Sequence, residues 1–259
     1  MSLHRILTAV LVVAALALGA AACSDEPAPA SSGSGTDGGS APDGLLSKDT
    51  LPTESGYSWE IAQYPGIDPI PVELTVAGPW TLTPGADWPV GTTEIVAPDD
   101  VPGIDGFRDF DFVEKTADAS GEHYFPRRAT DEWLLQIGSI TVDDSGTTAE
   151  PYAEPMKVWP LGFEVGDSFV VLDGENFRID ATVLAQNTAI VPAGEIEGAY
   201  LVRFEFVPLT EGSISGTQYY ILAPGVGFVA VFGVSSGDEA IGFTALDSAR
   251  VLVSLPAKR

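Results

Sequence analysis

Hydrophobic and polar positions divide the chain into three stretches. The first, Ile6 to Ala22, is an apolar run behind the polar start His4-Arg5. The second, Ser24 to Thr50, holds almost no apolar bulk beyond Leu45 and Leu46. The third, 51–259, is a series of short runs rich in Val, Ile, Thr, Tyr and Phe, broken by Gly, Pro, Asp and Asn. Such punctuation predicts strands joined by turns.

The alternation is cleanest at Tyr200 to Val207. Tyr200, Val202, Phe204 and Phe206 share one parity and Arg203 and Glu205 the other, so this strand is expected to keep one wet face. Ser168 to Leu172 and Phe177 to Gln186 flank Asp173-Gly174-Glu175-Asn176, a hairpin signal. Further strands are expected at 72–77, 93–97, 107–115, 134–142, 218–223, 228–234 and 249–255. Pro-Gly pairs at 65–66, 84–85, 102–103 and 224–225 act as breakers. Helical spacing is nearly absent, with short turns at 129–133 and 244–248 as the candidates. Connections in the last hundred residues are too short for crossover helices, which predicts an antiparallel meander. The fold class is therefore all-β: curved antiparallel sheets forming a partial barrel or a sandwich, as a single domain over 51–259.

The first stretch changes the picture of where this domain resides. It has the length of a secretory hydrophobic region, falls short of the roughly 20 residues of a bilayer-spanning helix, and ends in Ala20-Ala21-Ala22 before Cys23. The pattern resembles the lipobox of bacterial lipoproteins, with Ala20 where the strongest form has Leu or another branched residue. The resemblance implies removal of a signal peptide, 1–22, and diacylglycerol and acyl chains (palmitate-like) on Cys23. Two or three chains anchor durably where one binds only marginally. Residues 23–50 then serve as a disordered Ser/Gly/Pro/Asp tether, about 28 Å end to end from flexible-chain scaling. The expected location is the extracytoplasmic face of the cell membrane. In a cell with two membranes, Ser24 is compatible with sorting to the outer one.

Charge narrows the partners. Without residues 1–22 the chain carries 11 basic and 37 acidic residues, a net charge of −26. That excess repels nucleic acid and anionic headgroups, so DNA or RNA binding is excluded. Apolar residues still make up 45% of the chain, which a folded domain needs and an acidic tail lacks.

Three elements of the C-terminal half carry a second resemblance: Trp159-Pro-Leu-Gly-Phe-Glu-Val-Gly-Asp-Ser-Phe169, Ile190-Val-Pro-Ala-Gly-Glu-Ile196 and Tyr219-Tyr-Ile-Leu-Ala-Pro-Gly-Val-Gly-Phe-Val229. In this order they resemble a diffuse family of exported bacterial β-sheet lipoproteins with P-L-x-x-G, V-P-A-G and Y-x-x-A-P-G-V-G elements. Phe169, Ile196 and Tyr220 stand where that family often has Trp, Phe and Trp, and Val76 to Leu82 is similar to the opening strand of some relatives. The resemblance implies a sheet curled round an apolar interior and no reaction. Gly225 and Gly227 are expected at positive backbone angles around Val226, and Gly194 likewise.

Candidate chemistry is sparse. His123 is the one histidine left after the leader, which rules out a histidine pair, and no G-x-S-x-G elbow accompanies it. Asp99, Asp100, Asp105, Asp109, Asp111 and Glu114 have the oxygen density of a Ca²⁺ site but not the D-x-[DN]-x-[DN]-G spacing. They read better as a solvated sheet face, with Phe110 and Phe112 turned the other way, so no metal and no cofactor beyond the lipid is expected. Trp80 and Trp88 flank a turn-rich segment and are candidates for stacking on a ligand, though core positions suit them too. Arg127, beside Arg128, is a candidate for gripping a carboxylate or phosphate against the alternative of an internal acidic partner. The expected function is an anchored envelope domain that binds an apolar ligand or a partner protein without catalysis. A structural or assembly module and a carboxylate-based hydrolase are the alternatives.

Overall fold

The structure, a computed structural model, describes residues 46–66, 68–118, 121–213 and 215–258. The leader, Cys23 and most of the tether lie outside the described residues. Strand-forming runs separated by short turns mostly pair with their sequence neighbours, and among the described residues fifteen strands join one hydrogen-bonded sheet. They are β1 (Tyr57–Gln63), β2 (Ile70–Leu74), β3 (Trp80–Thr81), β4 (Val90–Val96), β5 (Phe112–Asp118), β6 (Gly121–Ala129), β7 (Trp133–Asp143), β8 (Gly146–Pro160), β9 (Ser168–Asp173), β10 (Phe177–Val191), β11 (Gly194–Pro208), β12 (Gly216–Ala223), β13 (Gly227–Asp238), β14 (Gly242–Leu252) and β15 (Ala257–Lys258).

Two antiparallel meanders make up the sheet. One runs β1-β4-β5-β6-β7-β8 and the other β10 to β14, and they join where Ile61 to Gln63 pair with Arg250 to Leu252. The C-terminal meander is as the short connections required. The sheet does not close into a barrel. The bridging to β9 is by side chains: Lys157 Nζ of β8 donates to the Val170 carbonyl at 3.0 Å, and the Trp133 ring of β7 meets the Phe169 ring edge-on at 5.6 Å. Pro151, Pro155, Glu150 and Glu154 fall along β8, residues that suit an edge strand because they discourage further pairing.

Strand β14 divides its pairing. Its end meets β1, while Phe243 to Leu246 pair with β2. Trp80 and Thr81 of β3 run parallel to Ala189 and Ile190 of β10, on the far side of the second meander. The segment from β2 to β3 must therefore cross one face of β11 to β13. It brings Leu74, Trp80 and Leu82 into the main core. Leu201 is fully buried although it shares a face with Arg203 and Glu205. The wet face of β11 is wet toward both ends of the strand, at Glu195 and Glu197 and at Arg203 and Glu205, and dry between them at Ala199 and Leu201.

A second, smaller core lies on the opposite face of the first meander. Val113, Tyr124, Ile137 and Ile140 are covered there by Val101 and Phe107. Phe107 packs so closely that a Cβ on Gly138 would lie 2.4 Å from its ring and 2.5 Å from the Glu150 carbonyl oxygen. The strand expected over 107–115 starts at Phe112. Residues 107–111 instead form part of the covering loop, with Asp109 at φ 60°. Neither helical candidate forms: 244–248 lies within β14, and 129–133 is the end of β6 and a turn.

The packed domain starts earlier than 51. Leu46 is fully buried, and its carbonyl accepts from the Gly162 N–H at 2.7 Å. The Thr50 carbonyl accepts from Gly225 N–H at 2.8 Å, and Lys48 pairs with Asp131 at 2.7 Å. Residues 46–50, counted with the tether on composition, thus tie the β6–β7, β8–β9 and β12–β13 turns together at one pole. Local polarity hid this, because a single buried leucine and backbone hydrogen bonds hold the segment. Gly225 and Gly227 take φ of 76° and 78° and Gly194 takes 125°, the positive angles expected of them.

Candidate functional site

Strand register decides what Arg127 does. It sits opposite Phe112 on β5 and Gln136 on β7. Its side chain is 2% exposed, donates to Gln136 Oε1 at 2.9 Å and lies 3.3 Å from Glu114 Oε2. Gln136 Nε2 in turn donates to the Tyr152 hydroxyl at 3.0 Å. The guanidinium also stands 5.3 Å from the Phe125 ring. This is an internal network across β5 to β8, so Arg127 grips Glu114 of its own chain and presents no free charge to a ligand. Its Nε has no hydrogen-bond partner.

The two tryptophans separate. Trp80 is 1% exposed, and its indole N–H points at the Thr75 and Val76 carbonyls at 3.1 and 3.3 Å. It belongs to the core and offers no face for stacking. Trp88 is half-buried against the Tyr64 ring at 5.3 Å. Trp80, Trp88 and Arg127 have separate partners on separate elements and form no common site. His123 Nδ1 lies 3.4 Å from Thr141 Oγ1. In the acidic stretch, Asp111 Oδ2 accepts from the Ala129 N–H at 2.8 Å. Among the described residues no three His, Cys, Asp or Glu side chains converge as metal ligands.

A concavity of about 510 Å³ opens elsewhere, over the ends of β11 to β14. Its framework is local alternation: Arg203 and Glu205 project from β11, and Arg203 is in register with Tyr219 and Tyr219 with Phe232. Tyr219 stacks on Phe232 at 5.4 Å and meets Phe243 at 4.7 Å, forming an aromatic floor. The β13–β14 turn hangs over it. There Asp238 Oδ1 accepts from the Ala240 and Ile241 N–H groups, and Glu239 takes Arg203 Nη1 on both oxygens at 3.0 and 3.1 Å. The Tyr219 hydroxyl donates to Glu239 at 3.2 Å. Burial, then the Glu239 charge, pushes the Tyr219 phenol up to about 12. Burial does the same to Tyr220 on the opposite face, against the pull of Arg250. Both phenols therefore remain protonated, and Tyr219 remains a donor, through the physiological range.

A phenol raised in the folded state favours its neutral form there. Its contribution is intact below the unfolded value near 10 and is lost as pH climbs toward 12. Urea unfolding at intervals from pH 9.5 to 12 is expected to show falling stability, with a shallower fall in Tyr220→Phe. An unchanged slope in that variant would remove the burial argument.

The sequence reading missed this concavity because its residues come from four strands and a turn up to 40 positions apart. The one local trace is the charged pair Arg203 and Glu205 within the apolar run Tyr200 to Val207.

No family model matches the chain, and no curated protein matches it in sequence. A crystal structure of a protein from Parabacteroides distasonis, named only provisionally as a lipoprotein, aligns with 82% of this chain and 99% of its own length, at 15% identity and a TM-score of 0.38. A likeness that weak assigns neither a fold family nor a function.

Proposed function

We propose that the chain is a lipid-anchored protein of the bacterial cell envelope, held at the extracytoplasmic face through Cys23, whose β domain binds a partner protein and performs no chemistry of its own. One observation carries this reading. An apolar leader ends directly at Cys23, a polar stretch follows, and a packed domain begins at Leu46. That order of parts supports a folded module joined to its membrane anchor through a polar stretch. The resemblance of the elements at 76–82, 159–169, 190–196 and 219–229 to exported β-sheet lipoproteins supports the same assignment. Between the two expected ligand classes, burial favours protein: Trp80 and Arg127 are sealed inside, whereas the concavity over β11 to β14 is open and bordered by charge.

Protein recovered from its native cells tests the anchor. Intact mass spectrometry is expected to show Cys23 as the acylated N-terminus and detergent-phase partitioning that Cys23→Ala abolishes. A photo-crosslinking residue at Thr217, on the concavity wall, is expected to join one envelope protein. Bare sulfur in the native protein overturns the anchor. An absence of crosslinks at Thr217 overturns the binding role.

A further inference from the structure

We propose that the concavity over β11 to β14 docks a basic segment with apolar anchors from its partner protein, at the pole of the domain opposite residues 46–50. The inference rests on the binding role above and adds the direction and chemistry of the partner.

Direction follows from strand polarity. Residues 46–50 bind the turns after β6, β8 and β12, so the leash reaches the domain at that pole. Strand β13 leaves the β12–β13 turn and runs twelve residues to Asp238, and β14 returns from Gly242. Extended chain rises about 3.3 Å per residue, so the β13–β14 turn lies roughly 40 Å along the strands from the leash. The concavity is built at that far turn, from Gly237, Asp238, Glu239 and Ala240 with Glu205 and Thr217. It lies at the end of these strands opposite the turns that hold residues 46–50.

Chemistry follows from the wall and rim. Glu205, Asp238 and Glu239 oppose a single guanidinium, Arg203, which Glu239 already holds. Glu205 is half exposed and only 4.0 Å from Arg203 Nη2, a weak pairing that leaves its outer side open to a second cation. Large apolar side chains stand in water in the two connections at this end of the strands: Ile241 in the β13–β14 turn is 77% exposed and Leu209, directly after β11, is 50% exposed. Exposed leucine and isoleucine beside uncompensated carboxylates match a segment that alternates cationic and apolar residues. The net charge of −26 steers such a segment inward.

The test uses the whole acylated protein in detergent micelles and two labelled ten-residue peptides, one alternating Arg and Leu, the other Glu and Leu, read by fluorescence anisotropy. The Arg peptide is expected to bind and the Glu peptide not. Glu205→Lys with Asp238→Asn, which keeps a carbonyl for the turn, is expected to weaken binding at least about tenfold, within the range for close charge pairs. Glu195→Lys with Glu197→Gln makes the same net change on exposed residues at the leash pole and is expected to alter binding less than about twofold, since distant exposed charges are screened. Ile241→Ser tests the apolar anchor and is expected to cost several-fold. Equal losses from the two charge variants, or binding of the Glu peptide, overturn the proposal. If crosslinks at Thr217 form in cells but the Arg peptide does not bind, the basic chemistry fails and the binding role stands. If neither is seen, both fail.

Discussion

Trp80→Ala is expected to lower the free energy of unfolding by about 3–5 kcal/mol, the range for removing a buried aromatic side chain. The indole is 1% exposed and sits where the crossover from β2 to β3 meets β10. Its loss opens a cavity between the crossover and the strands beneath it. It also leaves the Thr75 and Val76 carbonyls without the indole N–H, a further cost of about 1 kcal/mol where no water replaces it. For a domain of this size each kcal/mol shifts the melting temperature by about 2–4 °C. A shift of at least 6 °C is therefore expected, seen by calorimetry and by urea midpoint alike. Trp80→Phe keeps most of the volume and loses the donor, so it falls between the two. A stacking residue at a ligand site behaves the other way, losing binding while keeping stability. A melting temperature within about 2 °C of wild type would return Trp80 to the surface and undo the crossover as described.

Particular segments show what the sequence could reveal. Residues 168–191 carry both strand periodicity and an Asp-Gly turn, and they form the β9–β10 hairpin with Arg178 opposite Asp173. Local chemistry decides such a unit, so it is legible. Residues 107–112 show the same alternation of Phe and Asp for another reason. Pro102-Gly103 and Gly106 interrupt the chain there, and Phe107 is drawn down onto the bare backbone of Gly138. Alternation alone cannot tell a strand from a loop pinned by one aromatic ring. Leu46 is a sharper case, since one apolar residue in a polar stretch has no period at all. Arg127 was legible as an arginine wanting an acid. Which acid it takes depends on the β5–β6 register, which sets it opposite Phe112 and so on the face that also carries Glu114. The concavity was least legible, being assembled by pairing across β11 to β14 and not by any run of residues.

The network around Arg127 yields the other large effect. Glu114→Ala is expected to destabilise the domain by about 3–5 kcal/mol, the usual cost of leaving a buried charge without its partner. The carboxylate is 16% exposed and the guanidinium 2%, so water can do little to replace it. Arg127→Met fails differently: it strands Gln136 Oε1 and the Glu114 carboxylate but removes the less hydrated charge. The double variant Glu114→Met with Arg127→Met removes both desolvation costs and leaves the Gln136–Tyr152 bond in place. It is expected to be more stable than Glu114→Ala, because apolar replacement of a whole buried pair is often neutral. Chemical denaturation of the wild type, of Glu114→Met, of Arg127→Met and of the double variant forms a cycle whose coupling is expected at about 0.5–3 kcal/mol, as for residues in direct contact. Strict additivity would mean that the two side chains do not meet, and with that the β5–β6 register would have to be redrawn. A measured coupling keeps Arg127 inside the sheet, where it specifies packing and remains out of reach of any partner arriving at the far pole.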